Sequence, residues 1–336
     1  MVKIYDAIII GGGPAGSSAA LHLAYHERNV LVLDRGTSPM HFHTNSILNF
    51  SGSVYHEGRS LLRNIQGEAR AAGAKYIAAD VVEIGGQYPK FKIRTEPSYR
   101  TDDRSEYSGK TLLIATGTAR KHPKVDGKWR SWLPVANVGN GAFYCPDCEA
   151  PLCKNKEVLV VNVGTVGSAL HVAQSLSRFT NTDNIQILMT EDAYVPFEHQ
   201  ELLKLEQSPF KWTSGKIKSI DFPRPGVVQS VTLTDGRKLR TNVFFVAFVD
   251  VARSEIAKQI GVEVDGKGNV ITDHRGKTNI EGVWAAGDVR PITQQVAMAV
   301  GTGNYAGLMM NQFLGNEYEE GGEYDHPDCR RALHID

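Results

Sequence analysis

Two cysteines separated by two residues stand near the middle of the chain, in Tyr144-Cys145-Pro146-Asp147-Cys148-Glu149. At this spacing the pair can close a small disulfide and open it again, so electrons can enter and leave at Cys145 and Cys148. The thiolate is the reactive form, and a helix N-terminus or a nearby cation favours it. Pro146 suits the first turn of a helix, and Pro151 keeps that helix short. Asp147 adds negative charge that opposes thiolate formation. A metal site is a competing chemistry, built from Cys145, Cys148 and Cys153. It would need a fourth ligand, His326 or Cys329, from the distant tail, so no metal is expected. A redox-sensing module without turnover, and a thiol oxidase that passes electrons to oxygen, are the other readings of the pair.

The stretches before the pair read as a device for holding a dinucleotide. Residues 4–10 are a mostly aliphatic strand that runs into Gly11-Gly12-Gly13-Pro14-Ala15-Gly16, a G-x-G-x-x-G sequence. Helical spacing follows over residues 17–24, and a second aliphatic strand, 29–33, ends at Asp34. Glycines let backbone N–H groups approach a pyrophosphate at the helix N-terminus, where the macrodipole favours negative charge. Asp34 lies about 20 residues beyond the glycines, where an acid can accept from ribose hydroxyls. Residues 61–72 read as a helix, Val81-Val82 as the end of a short strand, and residues 111–114 as a strand closing on Ala115-Thr116-Gly117. Far downstream, residues 282–288 form another strand ending in Gly287-Asp288, with a helix expected over 294–313.

The pattern then repeats in weaker form. Residues 158–161 are aliphatic and lead into Asn162-Val163-Gly164-Thr165-Val166-Gly167, a helix over 168–177 and a strand over 185–188. Asn162 replaces the first glycine, and asparagine tolerates unusual backbone angles better than most residues. A 2′-phosphate wants cationic forks after the second strand. This chain has Met189-Thr190-Glu191-Asp192 there, followed by Ala193-Tyr194-Val195-Pro196. Two carboxylates repel such a phosphate, so NADPH is disfavoured, while Glu191 could still accept from ribose hydroxyls. Pro196-Phe197, Phe210 and Trp212 offer aromatic surface, read chiefly as core. Residues 221–240 read as a hairpin, with strands 230–234 and 238–241 around Asp235-Gly236, and residues 243–249 are an apolar strand.

Composition narrows the field. Lys+Arg and Asp+Glu are both 37, so no net field draws the chain to nucleic acid or an anionic membrane. No apolar run is long enough for a transmembrane span, and the start lacks the features of a secretory signal. A cytoplasmic protein is expected. Four cysteines in 336 residues do not make a disulfide scaffold.

Taken together, the first glycine motif, Ala115-Thr116-Gly117, Cys-x-x-Cys and Ala286-Gly287-Asp288 with its following helix resemble the low-molecular-weight thioredoxin reductases of the flavoprotein disulfide reductase superfamily. The likeness runs from residue 4 to about 315. It implies an α/β fold of two Rossmann-like three-layer nucleotide-binding domains, the second inserted into the first. Residues 1–122 and 249–316 would form a discontinuous FAD-binding domain, residues 123–248 the inserted domain, and residues 317–336 a tail. The resemblance further implies that FAD is held by Gly11, Gly13, Pro14, Ala15, Gly16, Asp34, Arg35, Asn49, Val82, Ala115, Thr116, Gly117, Gly287, Asp288, Gln295 and Val296. Gly164, Thr165, Val166, Gly167 and Glu191 would line a second nucleotide site. Cys148 would exchange electrons with the flavin and Cys145 with a partner disulfide, with Glu149 standing where the family carries an acid–base aspartate.

Three departures stand out. Gln294-Gln295 replaces the family's Arg-Gln pair. Pro39-Met40-His41-Phe42-His43-Thr44 replaces a Gly-Gln segment, putting two imidazoles there that could tune the flavin or relay protons, or simply be solvated. The cationic cluster for NADPH is missing. Branches of the superfamily that take electrons from ferredoxin, or hold a second FAD, lack that cluster too. The expectation is therefore an FAD-dependent thiol–disulfide oxidoreductase, independent of NADPH, acting with a thioredoxin-like protein or small dithiol, as a homodimer. An ordinary NAD(P)H-dependent thioredoxin reductase is the alternative.

Overall fold

The computed structural model describes residues 4–43, 46–52, 57–97, 102–136, 141–191, 199–224 and 226–316. Thr44, the 192–196 stretch with Phe197, and the tail carrying His326 and Cys329 lie outside the described residues. The chain separates into two compact units, one made of Met1–Ser38, Arg63–Gly117 and Ala252–Asp336, the other of Pro39–Leu62 and Thr118–Val251.

The first unit is built on a seven-stranded sheet. Lys75–Ala78, Val30–Asp34, Ile4–Ile10 and Glu106–Ile114 run parallel in that order, with Ile4 beside Ser108 and Ala7 beside Val30. Their near-continuous aliphatic character follows from being covered on both faces. Ile8, Ile10, Leu31 and Leu33 point to one face, where Val262 and Val270 meet them. Ile9, Val30 and Val32 point to the other, against Ala19, Leu23 and Met310. The far edge of Glu106–Ile114 is shared. Its first half pairs antiparallel with Lys90–Glu96, and its last three residues pair parallel with Val283–Ala285. Val81-Val82 therefore lies near the start of a long strand, Asp80–Gln87, and does not end a short one. That strand folds back on Lys90–Glu96 as a hairpin.

Helix Pro14–Tyr25 packs on the long last helix, Val296–Asn316, because small residues let the two backbones close up. A Cβ at Gly303 would overlap the Ala15 carbonyl, and one at Gly307 would lie 3.0 Å from the Ala19 carbonyl oxygen.

In the second unit five parallel strands run in the order Lys211–Ser214, Ile185–Met189, Val158–Asn162, Val243–Ala247, Ala142–Phe143. Phe210 is buried against this sheet and Trp212 packs on it, so both serve the core. A three-stranded antiparallel sheet completes the unit, with Gly236 at φ +90° in its hairpin turn. No helix among the described residues is long and apolar enough to cross a membrane.

The Gly303–Ala15 approach makes a prediction. Gly303→Ala should lower unfolding stability by about 1–3 kcal/mol through overpacking, read as a reduced urea midpoint with unchanged slope. An unchanged midpoint would show that the helix pair does not depend on this contact.

Candidate functional site

The first unit gathers a cradle at the C-terminal ends of its parallel strands. Gly11, at φ +106°, sits where a Cβ would strike the Ala115 carbonyl, and Gly16 where it would strike Gly11. These glycines are fixed by the protein's own backbone. Gly13 differs: a Cβ there would meet only Ser38 Oγ, at 3.7 Å, so its open side is not needed by the fold. It is the N-cap of the 12-residue helix Pro14–Tyr25, has no side-chain cap and is followed by Pro14 at N1. Free backbone donors at a helix N-terminus suit a phosphate. Ser17 Oγ and Gln66 Nε2 both donate to the Gly12 carbonyl, at 3.0 and 2.7 Å, and hold the loop open.

Asp34 and Gly287 stand beside this loop, and most of the other expected cofactor residues lie in the same unit. The Asp34 carboxylate lies beside it, 2.8 Å from where a Gly12 Cβ would be. Gly287 comes so near Ala15 that their Cβ atoms would be 2.8 Å apart, which brings the Gly287-Asp288 turn against the start of the helix. Thr116 Oγ1 donates to the Arg253 carbonyl at 2.6 Å, and Gly117 turns at φ +64°. Arg35 pairs with Asp80 at 3.5 Å, Val82 gives its carbonyl to Gln259 at 3.1 Å, and Gln295 accepts from the Ala299 amide just before Val296 opens the last helix. Open donors, a carboxylate and a Gly-Asp turn converging at one strand end fit the pyrophosphate, ribose and ribityl groups of FAD. Asn49 alone of the expected set lies in the second unit.

There Cys145 and Cys148 form a disulfide with Cα atoms 5.2 Å apart. Cys145 is the N-cap of a one-turn helix, Pro146–Glu149, and its carbonyl accepts from the Cys148 and Glu149 amides. Glu149 is 7% exposed. Its Oε2 accepts from the Tyr144 amide at 2.8 Å and the Cys145 amide at 3.0 Å. Asn49 donates its amide to Cys148 Sγ at 3.6 Å. Cys153 is buried and free, and burial pushes its thiol up to about 12. It is a packed residue, unlike the pair.

Behind Tyr144 lies a network that the sequence did not reveal. Trp132 Nε1 donates to the Tyr144 hydroxyl at 2.8 Å, and that hydroxyl is hydrogen-bonded to His122 Nδ1 at 2.9 Å. Burial holds the Tyr144 hydroxyl well above the ordinary phenol range, and burial with the Arg120 charge holds His122 below the ordinary imidazole value. Arg120 lies 5.8 Å over the Tyr144 ring and 5.5 Å over Phe248, and reaches Asp250 at 3.9 Å. His43 is held below its ordinary value by burial, with Glu149 raising it and Arg120 lowering it. Only the polar character of residues 120–124 in sequence hints at this group.

The second nucleotide fold keeps the topology and changes the chemistry. Asn162 is not at positive φ, so conformational tolerance is not its role. Its buried carboxamide instead accepts from the Gly164 amide at 3.1 Å and the Ser168 hydroxyl at 3.3 Å. Thr165 and Ser168 cap the helix Val166–Leu176 reciprocally. A helix start that satisfies itself has fewer donors left for a ligand. Gly167 is open, with Thr165 Oγ1 at 3.7 Å from a Cβ there. Glu191 pairs at the surface with Lys216 at 2.7 Å.

Two Rossmann-like folds, one with an open dinucleotide cradle and the other with a disulfide on a one-turn helix, define a two-domain disulfide oxidoreductase. The pyridine nucleotide-disulphide oxidoreductase family matches residues 5–303, and the chain belongs to that family. It is similar to the thioredoxin reductase of Listeria innocua, 30% identical over 93% of this chain and 94% of that protein. The thioredoxin reductase of Bacillus subtilis is 28% identical, over 93% and 95%. In fold it matches the crystal structure of thioredoxin reductase from Streptococcus pyogenes, with a TM-score of 0.78 and 24% identity over 93% of this chain and 99% of that one. The protein is a flavin-dependent disulfide oxidoreductase of the thioredoxin reductase-like kind.

The contrast between the cysteines is testable. After reduction with dithiothreitol, native protein treated with iodoacetamide near neutral pH should carry label on Cys145 and Cys148 and none on Cys153. Peptide mapping that finds Cys153 modified as fast as the pair would contradict its burial. Tyr144→Phe, which strands the Trp132 donor, should cost about 1–3 kcal/mol of stability, read by thermal or denaturant unfolding.

Proposed function

We propose that this protein exchanges an electron pair between FAD and the Cys145–Cys148 disulfide, that the disulfide in turn exchanges with a thioredoxin-like protein or small dithiol, and that NADPH is not the external electron partner. The observation that carries the exchange reading is the hydrogen bond from Asn49 to Cys148. Attack on a disulfide expels the other sulfur as a thiolate, and an amide donor on Cys148 stabilises that sulfur as the leaving group. Cys145 is then the sulfur that meets the partner, and Cys148 the one that trades electrons with the flavin. Glu149 fixes the Tyr144 and Cys145 amides, so the attacked sulfur stays in place while the bond breaks. FAD, when bound, supplies a two-electron carrier. Gly13, Asp34, Gly117 and Asp288 are the residues that would hold it.

The second unit supports the statement about NADPH. Its helix N-terminus is capped by Thr165 and Ser168. Glu191 stands after the second strand, where a 2′-phosphate would need a cation. Ferredoxin, or a second dinucleotide in this fold, is compatible with the same features. The homodimer and the cytoplasmic setting belong to the proposal on the strength of the family resemblance.

Anaerobic titration of the yellow protein tests this directly. Dithiothreitol should bleach the flavin through the disulfide, and Cys145→Ser should lose that bleaching, while NADPH should leave the absorbance unchanged. Rapid stoichiometric bleaching by NADPH would overturn the NADPH statement and identify an ordinary NADPH-dependent reductase. NADH is titrated alongside, to learn whether Glu191 serves a ribose. Peroxide formed on adding a dithiol in air would favour oxygen as the acceptor.

A further inference from the structure

Tyr144, the residue just before Cys145, is held at both ends. Its amide donates to Glu149 Oε2 at 2.8 Å, and the Cys145 amide donates to the same oxygen at 3.0 Å. At the far end of the side chain its hydroxyl meets two ring nitrogens, Trp132 Nε1 at 2.8 Å and His122 Nδ1 at 2.9 Å. The ring between them packs edge to face on Phe248, with centres 5.7 Å apart. A tyrosine fixed at amide, ring and hydroxyl leaves Cys145 little freedom on its N-terminal side.

The two partners of the hydroxyl differ in kind. Trp132 is fully buried, and its ring packs 5.0 Å from that of Phe244, in strand Val243–Ala247 of the parallel sheet. Its indole nitrogen only donates. His122 is partly exposed and stacks on the exposed Trp129 with ring centres 6.3 Å apart. Its ring can therefore exchange a proton with water. Among the described residues these two nitrogens are the hydroxyl's hydrogen-bond partners. The phenol oxygen accepts from Trp132, and the phenol has one proton to place. That proton is satisfied where His122 Nδ1 is an unprotonated acceptor. An imidazolium puts a second N–H against the same oxygen and strands the phenol proton. The charged and titratable groups around the imidazole are Arg120 on its own segment and the Tyr144 phenol. Beyond them Asp250 faces Arg120, Glu149 holds the Tyr144 amide, and Arg130 lies 5.6 Å over the Trp129 ring.

We propose that His122 is a positioning residue of thiol–disulfide exchange: its unprotonated Nδ1 accepts the Tyr144 hydroxyl proton and, through Tyr144, keeps Cys145 Sγ in place for attack. The proposal rests on the exchange function above, with Cys145 as the attacked sulfur. A substrate thiolate bonds to Cys145 Sγ, the Cys145–Cys148 bond breaks, and Cys148 leaves with the electron pair. The second thiol of the substrate then attacks its own sulfur in the mixed disulfide and releases Cys145. The substrate is oxidised by two electrons, the enzyme pair is reduced by the same two, and the two thiol protons pass through water to Cys145 and Cys148. Misplacing a reacting atom by about 1 Å can cost about 100-fold, so loss of one of two bonds at the end of a tyrosine should cost about 10-fold. Burial and the Arg120 charge hold His122 below its ordinary value, so near pH 7 it is in the accepting form. The clamp is complete above that lowered value and is lost as the pH falls through it.

The test follows the disulfide, not the flavin. Yellow protein is mixed anaerobically with dithiothreitol between about pH 5 and about pH 8, the range that spans an imidazole's titration. Samples are quenched with an alkylating agent at set times, and Cys145 and Cys148 are read by peptide mass. The thiolate fraction of dithiothreitol is common to all variants and cancels in ratios of their rates. Near pH 8, His122→Ala should open about 10-fold more slowly than the natural protein. His122→Asn, whose amide oxygen replaces Nδ1 and takes no proton, should open within about 2-fold of the natural rate. Towards about pH 5 the natural protein should fall to the His122→Ala rate, while His122→Asn keeps its lead. Tyr144→Phe should be as slow as His122→Ala, and it decides the matter if His122→Ala does not fold. Combining the two changes should slow opening no further than Tyr144→Phe alone, because His122 acts through that hydroxyl. A natural rate in His122→Ala or Tyr144→Phe, an Asn variant as slow as the Ala variant, or a natural-to-Ala ratio that is the same at every pH would each overturn the proposal. If the natural protein opens its disulfide but does not bleach its flavin, the failure belongs to the functional reading and the His122 comparison still stands.

Discussion

One buried carboxylate holds the redox loop together. Glu149 is the last residue of a helix of a single turn, and its Oε2 turns back to accept the two amides that precede that turn. The arrangement is a close relative of the capping box, in which an acid inside the helix reaches the N-cap amide. Here the helix has a single turn, closed by the Cys148 and Glu149 amides on the Cys145 carbonyl, and the carboxylate adds what further turns would otherwise supply. It fixes Cys145, the N-cap. Through the Tyr144 amide it also fixes the direction of the ring that Trp132 and His122 then hold from behind. Two amides on one oxygen offset much of the cost of burying an anion. The longer side chain of glutamate suits a bond that runs back four and five residues.

The two nucleotide folds of this chain share topology and differ at the loop that opens the first helix of each. Both have a central parallel strand, a glycine-bearing loop and a helix. In the first, no side chain caps the helix, and Gly13 is open although nothing in the protein needs the space. In the second, Asn162, Thr165 and Ser168 form a closed set of hydrogen bonds across the loop. A free set of donors is unfavourable unless something accepts from it. The fold therefore carries unsatisfied capacity in one half and has lost part of it in the other.

Much of this architecture was readable from sequence because it is local. Aliphatic runs of five to nine residues, each bounded by glycine or a polar turn, are strands covered on both faces, and residues 4–34 and 158–189 show that pattern plainly. What could not be read is what the chain brings together across long separations. Gly303 is a glycine because Ala15 needs its space, and neither residue's neighbours say so. The hairpin of Asp80–Gln87 and Lys90–Glu96 was missed because Gly85-Gly86 and Tyr88-Pro89 look like strand breakers, although they sit at and beside its turn. Asn162 was understood as a conformational substitute for glycine when its side chain is the point. His122 and Trp132 matter only because Tyr144 points at them, and Asn49 only because Cys148, about a hundred residues away in sequence, lies within reach of its amide.

The electrostatics of the loop set what opening the disulfide must overcome. Opening the disulfide places a thiolate within a few residues of the Glu149 carboxylate and of exposed Asp147. A fixed cation would be the simplest compensation, and Arg120 is the one that the cluster provides. It is already drawn to Asp250 and lies over the Tyr144 and Phe248 rings. A one-turn helix contributes little macrodipole, since that effect grows from aligned peptides. What remains is a neutral donor, the Asn49 amide, which stands at Cys148 Sγ and is the group placed to receive the charge of the departing sulfur.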